Sequence, residues 1–256
     1  MIRIGTSGWK YPEWRDDFYP KGLVQRRELE FLAGQVNSIE INGTFYSLRE
    51  PEQYRAWAAQ VPENFAFAVK GVREVTHVRR LRDVAEPLRD FFGSGVLELG
   101  ARLGPVLWQL PNRAVFDVEA VAEFLALLAA TAGTPDRVVR HAIEVRHASF
   151  QNDEFFSLAS KHNVAVVYSD GAGNWPVFDV TTADFSYIRL HGAEELYISG
   201  YRDEQLTGWA RRVDELGRDR DVFVYFDNTM RGRAPRDAMK LADLVRERGD
   251  RRRMSP

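Results

Sequence analysis

Eight short apolar or β-branched runs recur along the whole chain, separated by longer amphipathic stretches, and this alternation constrains the fold more than any other feature. The runs are Arg3–Ser7, Asn37–Asn42, Phe65–Lys70, Val106–Leu110, His141–Arg146, Val164–Asp170, Phe185–His191 and Val222–Asn228. Each has the length of a strand and is bounded by turn residues. Between them, apolar residues fall at i, i+3, i+4 and i+7, as in Leu29, Leu32, Ala33 and Val36, in Leu81, Val84, Ala85 and Leu88, and in Leu206, Trp209, Ala210 and Val213. That spacing makes one buried stripe on a helix. Pro51 suits a first helical position, Asp117 an N-cap and Gly133 a helix stop.

Strand-helix alternation predicts parallel strands joined by right-handed crossovers, and eight such units predict an α/β chain folded as a single-domain (β/α)8 TIM-type barrel over residues 1–248. The sixth unit is the exception. Asp170–Asp184 carries Gly171, Gly173 and Pro176 without a helical stripe, so an irregular connection is expected there. No Gly-x-Gly-x-x-Gly follows any run, which argues against a dinucleotide-binding sheet and leaves no nucleotide cofactor motif. Residues 249–256 read as an Arg-rich, solvated C-terminal tail.

A chain of 256 residues buries enough surface to fold without covalent staples, and with no cysteine it has neither disulfides nor thiolate ligands. A formal net charge of −2 gives no bulk attraction to nucleic acid or anionic lipid. No apolar run approaches the roughly 18–20 residues of a membrane span. The start, Met1 to Gly5, leads directly into a strand. These features predict a cytoplasmic protein with no membrane partner; they leave the oligomeric state open.

Strands of a parallel barrel are covered on both faces and should be apolar throughout, yet most of these runs end in polar residues. Alternate residues share a face. Ala66, Ala68 and Lys70 form a small set suited to the lumen, with Phe67 and Val69 facing the helices. The same parity groups Glu40 with Asn42, then Ala142 with Glu144 and Arg146, and Tyr187 with Arg189 and His191. Gln109 joins from the fourth run, Asp170 from the sixth, and Asp227 or Asn228 from the eighth, where the bulk of both Tyr225 and Phe226 leaves parity undecided. Charges gathered in a low-dielectric lumen form either a salt-bridge network or a site, and a barrel of this type places its active site at the C-terminal strand ends.

The same segments resemble the YecE-like family (domain of unknown function 72). The resemblance rests on Gly5-Thr6-Ser7-Gly8-Trp9 with Tyr11 and Trp14, Glu40-Ile41-Asn42 with Thr44-Phe45-Tyr46, and Gln109-Leu110-Pro111. It continues through Glu144-Val145-Arg146-His147, Arg189-Leu190-His191-Gly192 and Tyr225-Phe226-Asp227-Asn228. It covers nearly the whole chain and implies a TIM-type barrel with no established activity. Phe150 stands where the family usually has Trp, and Asp227 and Asp237 where Asn is common.

Glu40 and Glu144 are the general acid/base candidates, with His191 assisting, because two carboxylates in different surroundings can divide acid and base roles. Lys70, Arg146 and Arg189 supply positive charge suited to an anion, and Lys70 is a Schiff-base candidate if desolvated. Ser7, Asn42, Gln109, Asp170, Asp227 and Asn228 are expected to line the substrate pocket, and Trp9 and Tyr46 are the loop aromatics placed to stack on a sugar ring or base. Glu40, Glu144, Asp170 and His191 have the chemistry for a divalent metal but lack the local spacing of a known metal motif. The expected function is therefore acid/base catalysis on a small polar or anionic substrate, a sugar or a phosphorylated metabolite, with isomerase, lyase and hydrolase all open. The alternatives are a barrel that binds or processes nucleic acid and a non-catalytic ligand-binding protein.

Overall fold

The computed structural model describes residues 1–131, 133, 134 and 137–254. Its main sheet is parallel throughout, formed by β1 (Ile2–Ser7), β2 (Ser38–Ile41), β3 (Ala66–Lys70), β4 (Leu103–Gln109), β5 (His141–Glu144), β6 (Val164–Val166 and Tyr168–Asp170), β7 (Phe185–Leu190) and β8 (Asp221–Phe226). The first half of β6 pairs with β5 and the second half with β7, so the sheet begins and ends on one interrupted strand. Val167, at the interruption, still donates its N–H to Ile143 O at 3.0 Å. The sheet thus curls into a nearly closed barrel, as the alternation of elements predicts.

Helices α1 (Glu28–Ala33), α2 (Pro51–Ala59), α3 (Ala85–Gly93), α4 (Val118–Thr131), α5 (Asp153–Lys161), α6 (Asp203–Leu216) and α7 (Arg233–Met254) connect or follow the strands. Pro51 opens α2 and Asp117 Oδ1 caps α4 by accepting from the Ala120 N–H at 3.0 Å. Helix α4 ends two residues before Gly133. No helix lies between β6 and β7, in keeping with the glycines and proline of that connection.

Two expectations need correction. The stripe at Leu81, Val84, Ala85 and Leu88 is only half helical, because Leu81 has φ 70 and α3 begins at Ala85. Leu81 and Val84 are buried all the same, so burial rather than helicity set their spacing. The Arg-rich segment expected as a tail instead continues α7 as far as Met254; residues 255 and 256 lie outside the described residues.

Two apolar layers follow from strand parity. The lumen is filled by Ala68, Leu107, Ala142, Ala165, Val167, Phe185, Tyr187, Phe223 and Tyr225. Phe67, Val69, Ile143, Val145, Ile188, Leu190, Val224 and Phe226 belong to the layer between sheet and helices. Among the described residues, no helix is long and apolar enough to cross a membrane.

Candidate functional site

The lumen packing settles which side chain of each strand end reaches the mouth. Tyr225 lies in the lumen, so Asp227 two residues on shares its direction and Asn228 does not. Asn228 instead donates from Nδ2 to Asp237 Oδ2 at 2.8 Å and to Ser199 O at 3.0 Å, tying α7 to the loop after β7. On β6, Ala165 and Val167 are luminal, so Ser169 points inward and Asp170 outward. Asp170 accepts from Tyr201 Oη at 3.0 Å and is not part of the cluster expected to include it.

At the centre lies Arg189 of β7, only 1% exposed. Its guanidinium donates to Glu40 of β2 (Nη2 to Oε1 2.8 Å, Nε to Oε2 3.1 Å) and to Glu144 of β5 (Nη1 to Oε2 2.7 Å). Asp227 Oδ2 is 3.2 Å from Nη2. Glu40 also accepts from Ser7 Oγ and from Tyr187 Oη, both at 2.7 Å. Glu144 accepts from Ser169 Oγ at 2.8 Å and from Arg146 Nε at 2.8 Å. Arg146 in turn stacks on Trp175, its guanidinium carbon 3.9 Å from the ring centroid. Trp175 Nε1 donates to Ser169 Oγ at 3.0 Å, which locks this side of the mouth.

His191 is fully buried between two carboxylates, with Nε2 3.3 Å from Glu144 Oε1 and Nδ1 3.0 Å from Asp227 Oδ2. Neither nitrogen has the alignment of a hydrogen bond, so these are electrostatic contacts. The rings of Trp175 and Tyr197 pack edge-on against it. Tyr197 and Trp175 sit in connections with no strand or helix periodicity, and Tyr197 carries none of the strand-end signals that exposed the rest of the cluster. Its backbone adopts φ 65, and its N–H donates to His191 O at 2.5 Å.

Burial alone would push the Glu144 carboxyl up, but Arg146 and Arg189 outweigh it and hold Glu144 well below the usual carboxylate range. Asp227 is likewise held low: burial opposes ionisation, and Arg189 and His191 overcome it. Tyr187 is pushed well above its ordinary value by burial and by the nearby Glu40, so it is a hydrogen-bond donor at any physiological pH. Three carboxylates and two guanidiniums therefore form a mutually saturated, ionised frame.

Lys70 of β3 is the exception. Among the described residues its ammonium has no carboxylate within ion-pair distance and no hydrogen-bond partner; it lies 4.5 Å from the Phe45 ring centroid. Burial, reinforced by Arg189, lowers its pKa to about 8 despite the three carboxylates nearby. His77, whose ring packs on Phe45, is lowered to about 4 by burial and by Lys70.

The remaining expected site residues are placed apart from this frame. Gln109 is buried and turned back on its neighbour, donating to Leu110 O at 2.7 Å. Tyr46 is 80% exposed and its ring meets Phe45 edge-on. Trp9 and Asn42 line a separate rim cavity between the loops after β1 and β2. The set expected for a metal is not assembled, because Asp170 turns away and Arg189 occupies the space between Glu40 and Glu144. Among the described residues, no other group of three or more His, Asp or Glu has metal-binding geometry. Buried His141 accepts from Trp108 Nε1 at 3.2 Å and is lowered to about 3 by burial, which makes it a neutral core residue.

Comparison with known proteins agrees with this architecture. A DUF72 family protein from Thermotoga maritima MSB8 superposes with a TM-score of 0.84 at 26% identity, covering 96% of this chain and 99% of that one. D-Psicose 3-epimerase from Clostridium cellulolyticum H10 shares the fold, with a TM-score of 0.54 at 13% identity over 96% of this chain and 98% of the other. UPF0759 protein YecE of Escherichia coli (strain K12) is 29% identical over 150 residues, 59% of this chain and 50% of YecE, so the match spans half the length of that relative. The family model described as protein of unknown function DUF72 matches residues 3–256, and the chain belongs to that family.

Proposed function

We infer that the chain is an enzyme acting at the C-terminal mouth of its barrel on a small polar or anionic substrate, a sugar or a phosphorylated metabolite, by proton transfer. The single observation that carries this reading is Lys70, an unpaired cation beside a charge-saturated frame. A purely structural ion-pair network has little use for a half-buried ammonium with no ion-pair partner, because the Phe45 ring and three more distant carboxylates only partly offset the cost of burying its charge. An amine with a pKa of about 8 both attracts an anionic or polar group and exchanges its proton near neutral pH.

The roles divide accordingly. Glu40 and Glu144 act as the fixed anionic frame that aims Arg189, since all four of their oxygens already accept hydrogen bonds. Glu144, held well below the usual carboxylate range by Arg146 and Arg189, is a weak base. His191, between Glu144 and Asp227, is assigned the assisting role, which requires its ring to turn into hydrogen-bond alignment during the reaction. Arg189, neutralised by Glu40, Glu144 and Asp227, fixes the frame, and the unpaired positive charge offered to a substrate is that of Lys70. The likeness in fold to a sugar epimerase agrees with a sugar-like substrate and adds nothing about the reaction.

The test is deuterium uptake. The protein is incubated in D2O with a panel of sugars and sugar phosphates, and solvent exchange into carbon-bound positions is followed by NMR. Exchange into at least one compound, abolished in Lys70→Met and not restored by Lys70→Arg, is the expected outcome. Saturable binding with no exchange and no consumption of any member would assign the chain to the non-catalytic ligand-binding class instead.

A further inference from the structure

We propose that the rim cavity between the loops after β1 and β2 is a second subsite that binds the anionic end of a polyhydroxylated substrate. This inference deepens the reading of the barrel mouth and rests on it for the identity of the reacting end, but its own support is separate. The cavity has a volume of about 260 Å3, and the residues that matter are Trp9, Lys10, Asn42, Arg49, Gln53 and Trp57. That is space for a ring-sized molecule rather than for one or two waters.

Three features give the cavity its chemistry. First, it is cationic. Lys10 and Arg49 line it and no acidic residue does; among the described residues Arg49 forms no ion pair. Arg49 is held by donating from Nη2 to Gly43 O at 2.9 Å, a fit that a side chain at position 43 would disturb, since an added Cβ would lie 2.8 Å from that nitrogen. Second, it contains an unmet donor and an unmet acceptor. Arg49 Nε and Asn42 Oδ1 are both shut from solvent without a hydrogen-bond partner. Buried polar atoms are nearly always satisfied; both of these lie behind the cavity wall, so a ligand carrying an acceptor and a hydroxyl would meet them only after a small turn of Arg49 and Asn42. Third, it has an aromatic wall. Trp9 and Trp57 meet edge to face at 5.5 Å between ring centroids, and Trp57 remains half-buried, with apolar surface available to the C–H face of a sugar.

The cavity is joined to the mouth by one short turn, Gly43–Phe45. Gly43 of this turn accepts Arg49, Thr44 Oγ1 donates to Lys70 O at 2.6 Å, and Phe45 lies against the Lys70 ammonium. A second link is Tyr11, whose hydroxyl donates to Ser7 O while Ser7 Oγ donates to Glu40. A sugar phosphate or sugar acid seated with its anion on Arg49 and Lys10 would lie one turn from Lys70, and its far end would have to pass Thr44 and Phe45 to reach the mouth.

Isothermal titration with glucose 6-phosphate, gluconate and glucose tests the proposal, using the wild-type chain, Arg49→Gln, Trp57→Leu and Glu144→Gln, each checked for an unchanged melting profile. The proposal expects at least one of the two anions to bind, with affinity reduced about tenfold or more by Arg49→Gln, as for loss of one charge-assisted contact, and reduced also by Trp57→Leu. Glucose, lacking the anion, should be insensitive to Arg49→Gln. Equal affinity in wild type and Arg49→Gln, or no saturable binding of either anion, overturns the subsite. Glu144→Gln separates the two readings: loss of turnover there with anion binding intact leaves the subsite standing, whereas anion binding lost there and kept in Arg49→Gln puts the anion in the lumen and overturns it.

Discussion

Lys70 and Arg189 occupy neighbouring positions in one lumen and have opposite thermodynamic consequences. Arg189 is surrounded by Glu40, Glu144 and Asp227, so removing it would strand three buried carboxylates. Arg189→Met is expected to cost about 3–5 kcal/mol or more, read as a fall in the denaturant midpoint. Lys70 carries a charge that its surroundings oppose. Its folded-state pKa of about 8 lies below the unfolded value, so the folded chain bears a penalty while the amine is protonated, and this penalty disappears only when the unfolded amine also loses its proton. Lys70→Met should therefore raise the melting temperature at pH 7, with the gain shrinking between about pH 8 and 10.5. A Lys70→Met chain that melts lower at pH 7 would show that the ammonium has a partner.

At the scale of elements, the barrel depends on close approaches that small residues permit. A Cβ on Gly5 would lie 1.7 Å from Ser38 O, the backbone of the adjoining strand, and no side-chain rotation can relieve that contact. Gly5→Ala is expected to cost about 3 kcal/mol or more and to lower the yield of folded protein, measured by chemical denaturation. The order of elements was legible in the sequence because each strand and helix carries its own period. Parity also read correctly wherever two unlike sets alternate, small against bulky in Ala66-Phe67-Ala68-Val69 and polar against apolar in Tyr187-Ile188-Arg189-Leu190-His191. It failed at strand ends. Asp170 follows an alternation in which Ala165, Val167 and Ser169 are luminal, and Asn228 follows a pair of aromatics of equal bulk that only lumen packing distinguishes. Trp175 and Tyr197 lie in irregular connections, where no period links a side chain to a direction, so their contact with His191 required the three-dimensional structure.

For the whole molecule, the mouth couples charge to stability. Glu144 and Asp227 have folded pKa values below their unfolded ones, so the stability they contribute is present above the unfolded carboxylate range and is lost as pH falls below about 4. Asp227→Asn should show a shallower loss of stability across that acid range than the wild-type chain, measured by denaturation at a series of pH values. Among the described residues, the frame of fixed charges leaves one amine at the mouth, Lys70, without an ion-pair partner. The most direct measurement is the titration of Lys70 by NMR of isotopically labelled, reductively methylated lysines, assigned with Lys70→Arg. An apparent pKa near 8 for Lys70 is expected. Titration near the ordinary lysine value of about 10.4 would contradict it.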